Sequence, residues 1–313
     1  MPIPIIIDTD PGIDDALAIA MAVRSPELRV LAVTTVYGNA PVDVAARNAL
    51  HLLQRLKVEG VTVYAGAARP LVRELACAVE THGEEGLGYA AVPPRLAQVP
   101  RVAAPQVIIR LLQGSPEPVT VVALGPLTNL ALALALERER CLRSIREIVW
   151  MGGSAGAPGN TTPVSEFNAW CDPEAARCVL ESGIPIRMVG LDATRCVFMK
   201  APLVDALRQH ADPEIRWWAE MWRFYVDFHR RAERLEGCVM NDPLAVALLL
   251  RPALGKWQQM YVEVDCGWGL TRGQTLCDRF GMTGRPANAS VCLQADGEAA
   301  LALALERGLG VRA

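Results

Sequence analysis

An α/β fold, with a mainly parallel central sheet and helices on both of its faces, is predicted by three features of the sequence. Short apolar runs rich in Val and Ile recur along the chain. Helical patterns lie between most of them, the alternation that builds a parallel sheet covered on both sides. No stretch of the 313 residues has the composition of a linker, so one domain spanning 1–313 is expected, with room for a substantial core.

The elements follow in order. Ile3 to Ile7 reads as a strand and, after the Pro11-Gly12 turn, Asp14 to Val23 reads as a helix. Val30 to Val36 is the next strand and Val42 to Leu56 the helix after it. The strand series continues with Val61 to Ala65, Val119 to Leu124, Ile145 to Met151 and Ile186 to Leu191. Leu127 to Leu136 and Pro173 to Glu181 are helices between them. Two segments rich in Gly and Pro, 67–105 and 152–168, interrupt the alternation, and long loops in a compact domain often carry function. Asp212 to Glu236 reads as a helix bearing Trp217, Trp218, Trp222, Phe224, Tyr225 and Phe228, aromatic residues expected in the core rather than on a ligand wall.

Composition narrows the function classes. The formal net charge is -3 and no long basic block is present, so a nucleic-acid reader, which carries a basic stripe, is not expected. Nine cysteines include no Cys-x-x-Cys pair, and an odd number spread through the chain suits reduced, mostly buried thiols of a cytoplasmic protein. The start, Met1-Pro-Ile-Pro, has no basic segment and meets acid at Asp8, unlike a signal peptide. The apolar stretch Val119 to Leu136 contains Gly125, Pro126, Thr128 and Asn129, and reads as strand, turn and helix rather than a membrane span.

The most informative segment is Asp8-Thr-Asp10-Pro-Gly-Ile-Asp14-Asp15, directly after a hydrophobic strand and running into a helix. In an open α/β sheet the ligand crevice lies outside the carboxyl ends of the strands, so Asp8 and Asp10 stand at its mouth. Helix capping accounts for one such Asp, because a first-turn carboxylate accepts orphan N–H groups. It does not account for four together, since packed like charges repel and raise each other's pKa. A bound cation removes the conflict, and oxygen-only ligands imply a hard ion, calcium or magnesium.

Three further segments carry candidate ligands. Asn241-Asp242-Pro243 precedes an apolar helix, where Asp242 alone would read as an N-cap. Leu124 ends a strand at a Gly-Pro turn, where its carbonyl could supply a neutral oxygen. Gly159-Asn160 to Glu166-Phe167-Asn168 places two amides and an acid in one loop, suited to a polyhydroxylated ligand or simply to local turns.

Together these residues resemble the inosine–uridine-preferring nucleoside hydrolase family. The Asp-x-Asp-Pro-Gly-x-Asp-Asp opening is that family's hallmark, and the resemblance recurs at Thr34-Thr-Val-Tyr-Gly-Asn39, Leu124-Gly-Pro-Leu-Thr-Asn129, Trp150-Met-Gly-Gly, Glu166-Phe-Asn168 and Asp242-Pro243. The stretch from Asp278 to Ala295 is similar to its C-terminal strands. The resemblance implies a single Rossmann-like domain in a homodimer or homotetramer, and calcium-dependent hydrolysis of ribonucleosides to ribose and base. It implies that Asp10, Asp15, Asp242 and the backbone oxygen of Leu124 hold Ca2+. Asp14, Asn39, Asn168 and Asp242 would bind the ribose 2′- and 3′-hydroxyls, with Glu166 and Asn160 at the 5′-hydroxyl and Met151 on the sugar's face. Asp10 is the expected general base on the attacking water.

One position departs from that pattern. Many members with inosine activity have His before the metal-binding Asp, and this chain has Asn241. An amide donates a hydrogen bond but delivers no proton at neutral pH. His82, in a glycine-rich loop, and His229 with Tyr225, four residues apart on one helix face, are the candidates to compensate; Phe167 completes the expected substrate contacts. His51 and His210 read as structural. Two other readings stand beside the hydrolase: a magnesium-dependent phosphohydrolase with Asp8 as nucleophile, and a nucleoside-binding protein that has lost catalysis.

Overall fold

The computed structural model describes residues 1–93 and 102–311, so residues 94–101 of the predicted 67–105 loop lie outside the described residues. The strands are β1 (Ile3–Thr9), β2 (Leu28–Thr35), β3 (Thr62–Ala65), β4 (Val119–Ala123), β5 (Ile145–Met151), β6 (Ile186–Val189), β7 (Phe198–Lys200), β8 (Gly237–Val239), β9 (Gly255–Val264), β10 (Thr275–Asp278) and β11 (Ala289–Ala295). The first six helices are α1 (Ile13–Val23), α2 (Val42–Arg55), α3 (Val79–His82), α4 (Ala104–Gly114), α5 (Thr128–Ser144) and α6 (Phe167–Cys171). Then come α7 (Pro173–Leu180), α8 (Leu191–Thr194), α9 (Ala201–Leu207), α10 (Pro213–Glu233), α11 (Asp242–Leu250) and α12 (Gly297–Leu309).

Nine strands form one sheet in the order β10-β9-β11-β6-β5-β4-β1-β2-β3. All neighbours from β11 to β3 pair parallel, and β9 and β10 add an antiparallel edge. The strand order reverses between β1 and β4, which makes the crevice at their carboxyl ends the topological switch point. The continuous apolar runs have the predicted cause: β4 and the middle of β1 are buried on both faces. One face packs against α1, α10, α11 and α12, the other against α4, α5 and α7.

Several boundaries differ from the sequence reading. β6 ends at Val189, not Leu191, because Gly190 is the N-cap of α8, packed so closely that a Cβ would press on the carbonyl of Gly153. α5 runs on to Ser144 rather than stopping at Leu136, with a bend at Glu137; its second half is charged and largely exposed, so apolar periodicity does not mark it. The 67–105 segment holds α3 and the start of α4, and 152–168 ends inside α6. Of the stretch from Asp278 to Ala295, strand structure covers only Asp278 and Ala289–Ala295.

All nine cysteines are free; Cys141, Cys171, Cys238 and Cys292 are buried, Cys196 is exposed and the rest are half-buried. Among the described residues no helix is long and apolar enough to cross a membrane.

Candidate active site

Four neighbouring parallel strands deliver residues to the switch point. β1 delivers Asp8 and Asp10, β2 leads to Asn39, β4 to Leu124, and β5 ends at Met151. Asn39 ties the acidic segment together: its backbone N–H donates to Asp10 Oδ2 at 2.7 Å and its amide to Asp15 Oδ2 at 2.8 Å. Asp15 also accepts from the hydroxyl of Thr9 and from the N–H of Gly12 at 3.0 Å. The last bond caps α1, so the capping explanation holds for Asp15 as one of its roles.

Asp10 is fully buried, and its Oδ1 has no hydrogen-bond partner. A Cβ at Gly38 or Gly125 would overlap its carboxylate, so this cradle admits only glycine on both sides. Among the described residues, oxygens of Asp14, Asp15 and Asp242 lie within 4.8 Å of one another. That trio differs from the expected metal set by including Asp14 in place of Asp10. Burial pushes the pKa of Asp10, Asp14, Asp15 and Asp242 above the usual carboxylate range, and the neighbouring carboxylates add to the rise at Asp10, Asp15 and Asp242. Clustered buried carboxylates, one with an orphaned oxygen, could hold a hard cation.

Asp8 stands apart. Thr34 donates to its Oδ1 at 2.6 Å and Asn129 at 2.8 Å, and burial raises its pKa to about 6. Its carboxylate is held by these two bonds, whereas Asp10 keeps a free oxygen, so Asp8 is the weaker candidate for the nucleophile of the phosphohydrolase reading.

The pocket above this floor is a cleft of about 770 Å³, counting the solvent space at its mouth. Asp14, Asn39, Leu124, Met151 and Asp242 line its depth, while Asp10 and Asp15 are buried behind. Asn160, Glu166, Phe167 and Asn168 line one end. Asn168 donates from Nδ2 to the carbonyls of Leu124 at 2.7 Å and Met151 at 3.0 Å, so the Leu124 oxygen does face the crevice. The carboxylate of Glu166 accepts from the N–H groups of Gly153, Asn168 and Ala169, yet burial outweighs these bonds and lifts its pKa to about 7. Asn160 Oδ1 accepts from the N–H of Phe167 at 3.0 Å, so its local-turn role is real as well.

His82, Tyr225, His229 and Asn241 line the opposite wall. His82 is buried at the end of α3, and its Nδ1 accepts from the N–H of Ile13 at 3.1 Å. The ring hydrogen therefore sits on Nε2, and burial holds the pKa down to about 4, so His82 is a neutral N–H donor at pH 7. Asn241 donates to Asp14 Oδ2 from its backbone at 3.1 Å and from Nδ2 at 3.4 Å, leaving its buried Oδ1 without a partner.

Sequence reasoning missed Thr81, Arg195, Phe228, Glu233 and Val239, which also line the pocket. Phe228 and Glu233 had a readable signal, lying three residues after Tyr225 and four after His229 on α10. The same helix corrects the aromatic expectation: Trp218 and Trp222 are fully buried core, while Tyr225 and Phe228 reach the ligand wall. His51 packs edge-on against Trp217, and His210 hydrogen-bonds the N–H of Asp212 just before α10; both are structural as expected.

Comparison with known proteins extends well beyond the site. A family model described as inosine-uridine preferring nucleoside hydrolase matches residues 5–302. A pyrimidine-specific ribonucleoside hydrolase RihA of Shewanella sp. (strain ANA-3) is 43% identical over 294 residues, 94% of this chain and 92% of that protein. A plant nucleoside hydrolase of known structure superposes with a TM-score of 0.90 at 33% identity, covering 99% of this chain and 100% of that one. The purine-preferring ribonucleoside hydrolase from Gardnerella vaginalis gives a TM-score of 0.90 at 30% identity, with 98% of each chain covered. Since the likeness takes in the whole sheet as well as the acidic crevice, the chain belongs to the inosine–uridine preferring nucleoside hydrolase family, hydrolases of the N-glycosyl bond of ribonucleosides.

Proposed function

We propose that this hydrolase depends on calcium, with Asp10 as the general base and no proton-donating residue at position 241. The observation that carries the proposal is the buried, unpartnered Oδ1 of Asp10 beside the Asp14–Asp15–Asp242 trio. An all-oxygen set of this kind suits Ca2+, which Asp10, Asp15, Asp242 and the Leu124 carbonyl would hold. When bound, the ion would secure the sugar diol and the attacking water and make that water a better acid.

The chain's own residues supply the remainder. Asp14, Asn39, Asn168 and Asp242 orient the 2′- and 3′-hydroxyls, Asn160 and Glu166 the 5′-hydroxyl, and Met151 lies under the ring. As the C1′–N bond breaks, its electron pair leaves with the base and positive charge grows on the sugar. The fixed carboxylates and amide oxygens stabilise that charge where it develops. Water oxygen bonds to C1′ while Asp10 takes its proton. On the wall, neutral His82 gives the departing base a hydrogen bond from Nε2–H rather than its proton, with Asn241, Phe167, Tyr225 and His229 around it. The base leaves as an anion that solvent protonates. This places His82 ahead of His229 as the leaving-group donor, because His229 uses its Nδ1 hydrogen on the carbonyl of Tyr225.

The relatives' names divide between pyrimidine-specific and purine-preferring, so both ring classes belong in the substrate test. We propose further that residues 1–313 act as one domain, in a cytoplasmic homodimer or homotetramer. Exposed Trp268, Leu270, Phe280 and Met282 in the connections flanking β10 support self-association, which light scattering of the purified protein would check.

Ribose release from inosine, adenosine, guanosine, uridine and cytidine, with and without chelator, tests the proposal. Chelator-sensitive release restored by calcium supports it. Release untouched by exhaustive chelation contradicts the metal role.

A further inference from the structure

The mouth of the pocket on α10 carries chemistry that bond cleavage itself does not use. Tyr225, His229 and Glu233 stand four residues apart, so they form one line along a single helix face. All three line the pocket, and exposure rises along the line. Tyr225 and His229 are 3% and 4% exposed, whereas the Glu233 side chain is 39% exposed. The line runs from the depth, where the carboxylates and the glycosidic bond lie, to the mouth, where the far edge of a base would end.

The Tyr225 hydroxyl, a donor, lies at the carboxylate end of the line, and toward the mouth the hydrogen-bonding character is one-sided. His229 Nδ1 lies 2.9 Å from the carbonyl oxygen of Tyr225, which only accepts, so the ring hydrogen sits on Nδ1. Burial keeps the imidazole neutral, and Nε2 is then a lone pair on a buried side chain. Among the described residues its nearest charged partner is Glu233, with Nε2 and Oε1 3.9 Å apart. Asp14, the other charged group facing the ring, is a further acceptor. Two acceptors, His229 Nε2 and the Glu233 carboxylate, therefore converge at the mouth end of the line.

We infer that Glu233 and His229 Nε2 read an amino group on the leaving base, so that cytidine and adenosine are preferred over their keto counterparts uridine and inosine. An exocyclic amine presents two N–H donors, and a carboxylate accepting from cytosine N4 is a recognised base contact. A keto oxygen at the same edge sets lone pair against lone pair, and sites built for one partner reject the analogue that leaves polar groups unpaired. The inference rests on the ribonucleoside hydrolase reading. Cytosine and adenine both carry such an amine on the edge away from the sugar, so each ring class offers its own test.

Rates of ribose release give two ratios of kcat/KM, cytidine to uridine and adenosine to inosine. In whichever ring class is turned over, the wild type is expected to favour the amino base by about tenfold. Glu233→Gln keeps the shape but adds an N–H donor at this exposed position, and most of that preference should disappear. Glu233→Ala should reduce the preference as well, by removing the acceptor without supplying a donor. A wild-type ratio near one, or variants that lower all rates together with the ratio unchanged, overturns the acceptor pair while leaving the hydrolase intact. No release from any of the four nucleosides overturns the hydrolase reading itself, and the inference with it.

Discussion

The acidic floor of the pocket stands on the carboxyl ends of four adjacent parallel strands, whereas its base-side wall stands on one long helix, a single helical turn and the start of α11. On the floor, Asn39 bridges two carboxylates, two glycines hem Asp10 in, and Asn168 fastens the loop end to Leu124 and Met151. On the wall, His82 is held to the floor by one bond to Ile13, and Glu233 reaches solvent. A floor so heavily bonded fixes the geometry of the chemistry. The departure from the expected leaving-group arrangement, Asn241, sits where floor and wall meet, at the start of α11 and bonded to Asp14.

Breaking the floor should cost the most. Asp242→Asn should lower kcat/KM on every substrate by about 10²-fold or more and leave the substrate ranking unchanged, as steady-state assays would register. A change in ranking would mean that floor and wall are not separable.

Next in size is a contrast within α10 itself. Trp222→Ala, in the core, should destabilise the fold by about 3–5 kcal/mol in urea titration. Phe228→Ala, on the wall, should raise KM with a much smaller stability change. Equal destabilisation by both would make the wall part of the core.

His82→Gln keeps a donor at the wall but not the imidazole, and should slow turnover by about tenfold, more for some bases than others. Asn241→His should speed release of the poorer leaving groups. If Asn241→His changes nothing while His82→Ala abolishes inosine turnover, residue 241 is not where specificity is set.

A separate effect is in pH-dependent stability. Glu166 is held up at about 7 against an ordinary 4.5, so the folded protein keeps a proton that the unfolded chain has released across that window. Its contribution is present below about 4.5 and lost as pH rises through about 7. In chelated protein the Tm of Glu166→Gln should therefore fall less than that of the wild type over this range. Parallel curves would show that the group does not titrate as its burial requires.

Much of this contrast was legible in the sequence, on one side only. Asp8, Asp10, Asp14 and Asp15 fall within one strand end, turn and helix start, too many carboxylates for capping alone. Asp8 is nonetheless held by Thr34 and Asn129, and Asp15 also caps α1. The parallel core followed from continuous Val/Ile runs, which only two-sided burial explains. The wall was harder to read. Trp218, Trp222, Tyr225 and His229 share one stripe of α10, so periodicity finds the stripe but not the point along its length where core gives way to pocket. The half-exposed β9 and the charged end of α5 lack the apolar runs that mark the inner strands.

The most direct test of the account is kcat/KM of Asp10→Asn across all five common nucleosides, with bound calcium measured in the same protein. A uniform loss of about 10²–10⁴-fold, with the ranking of bases preserved, is the result expected of a general base on the floor. Near-wild-type turnover in a variant that still binds calcium would contradict it, and the base would have to be sought among Asp14, Asp15 and Asp242.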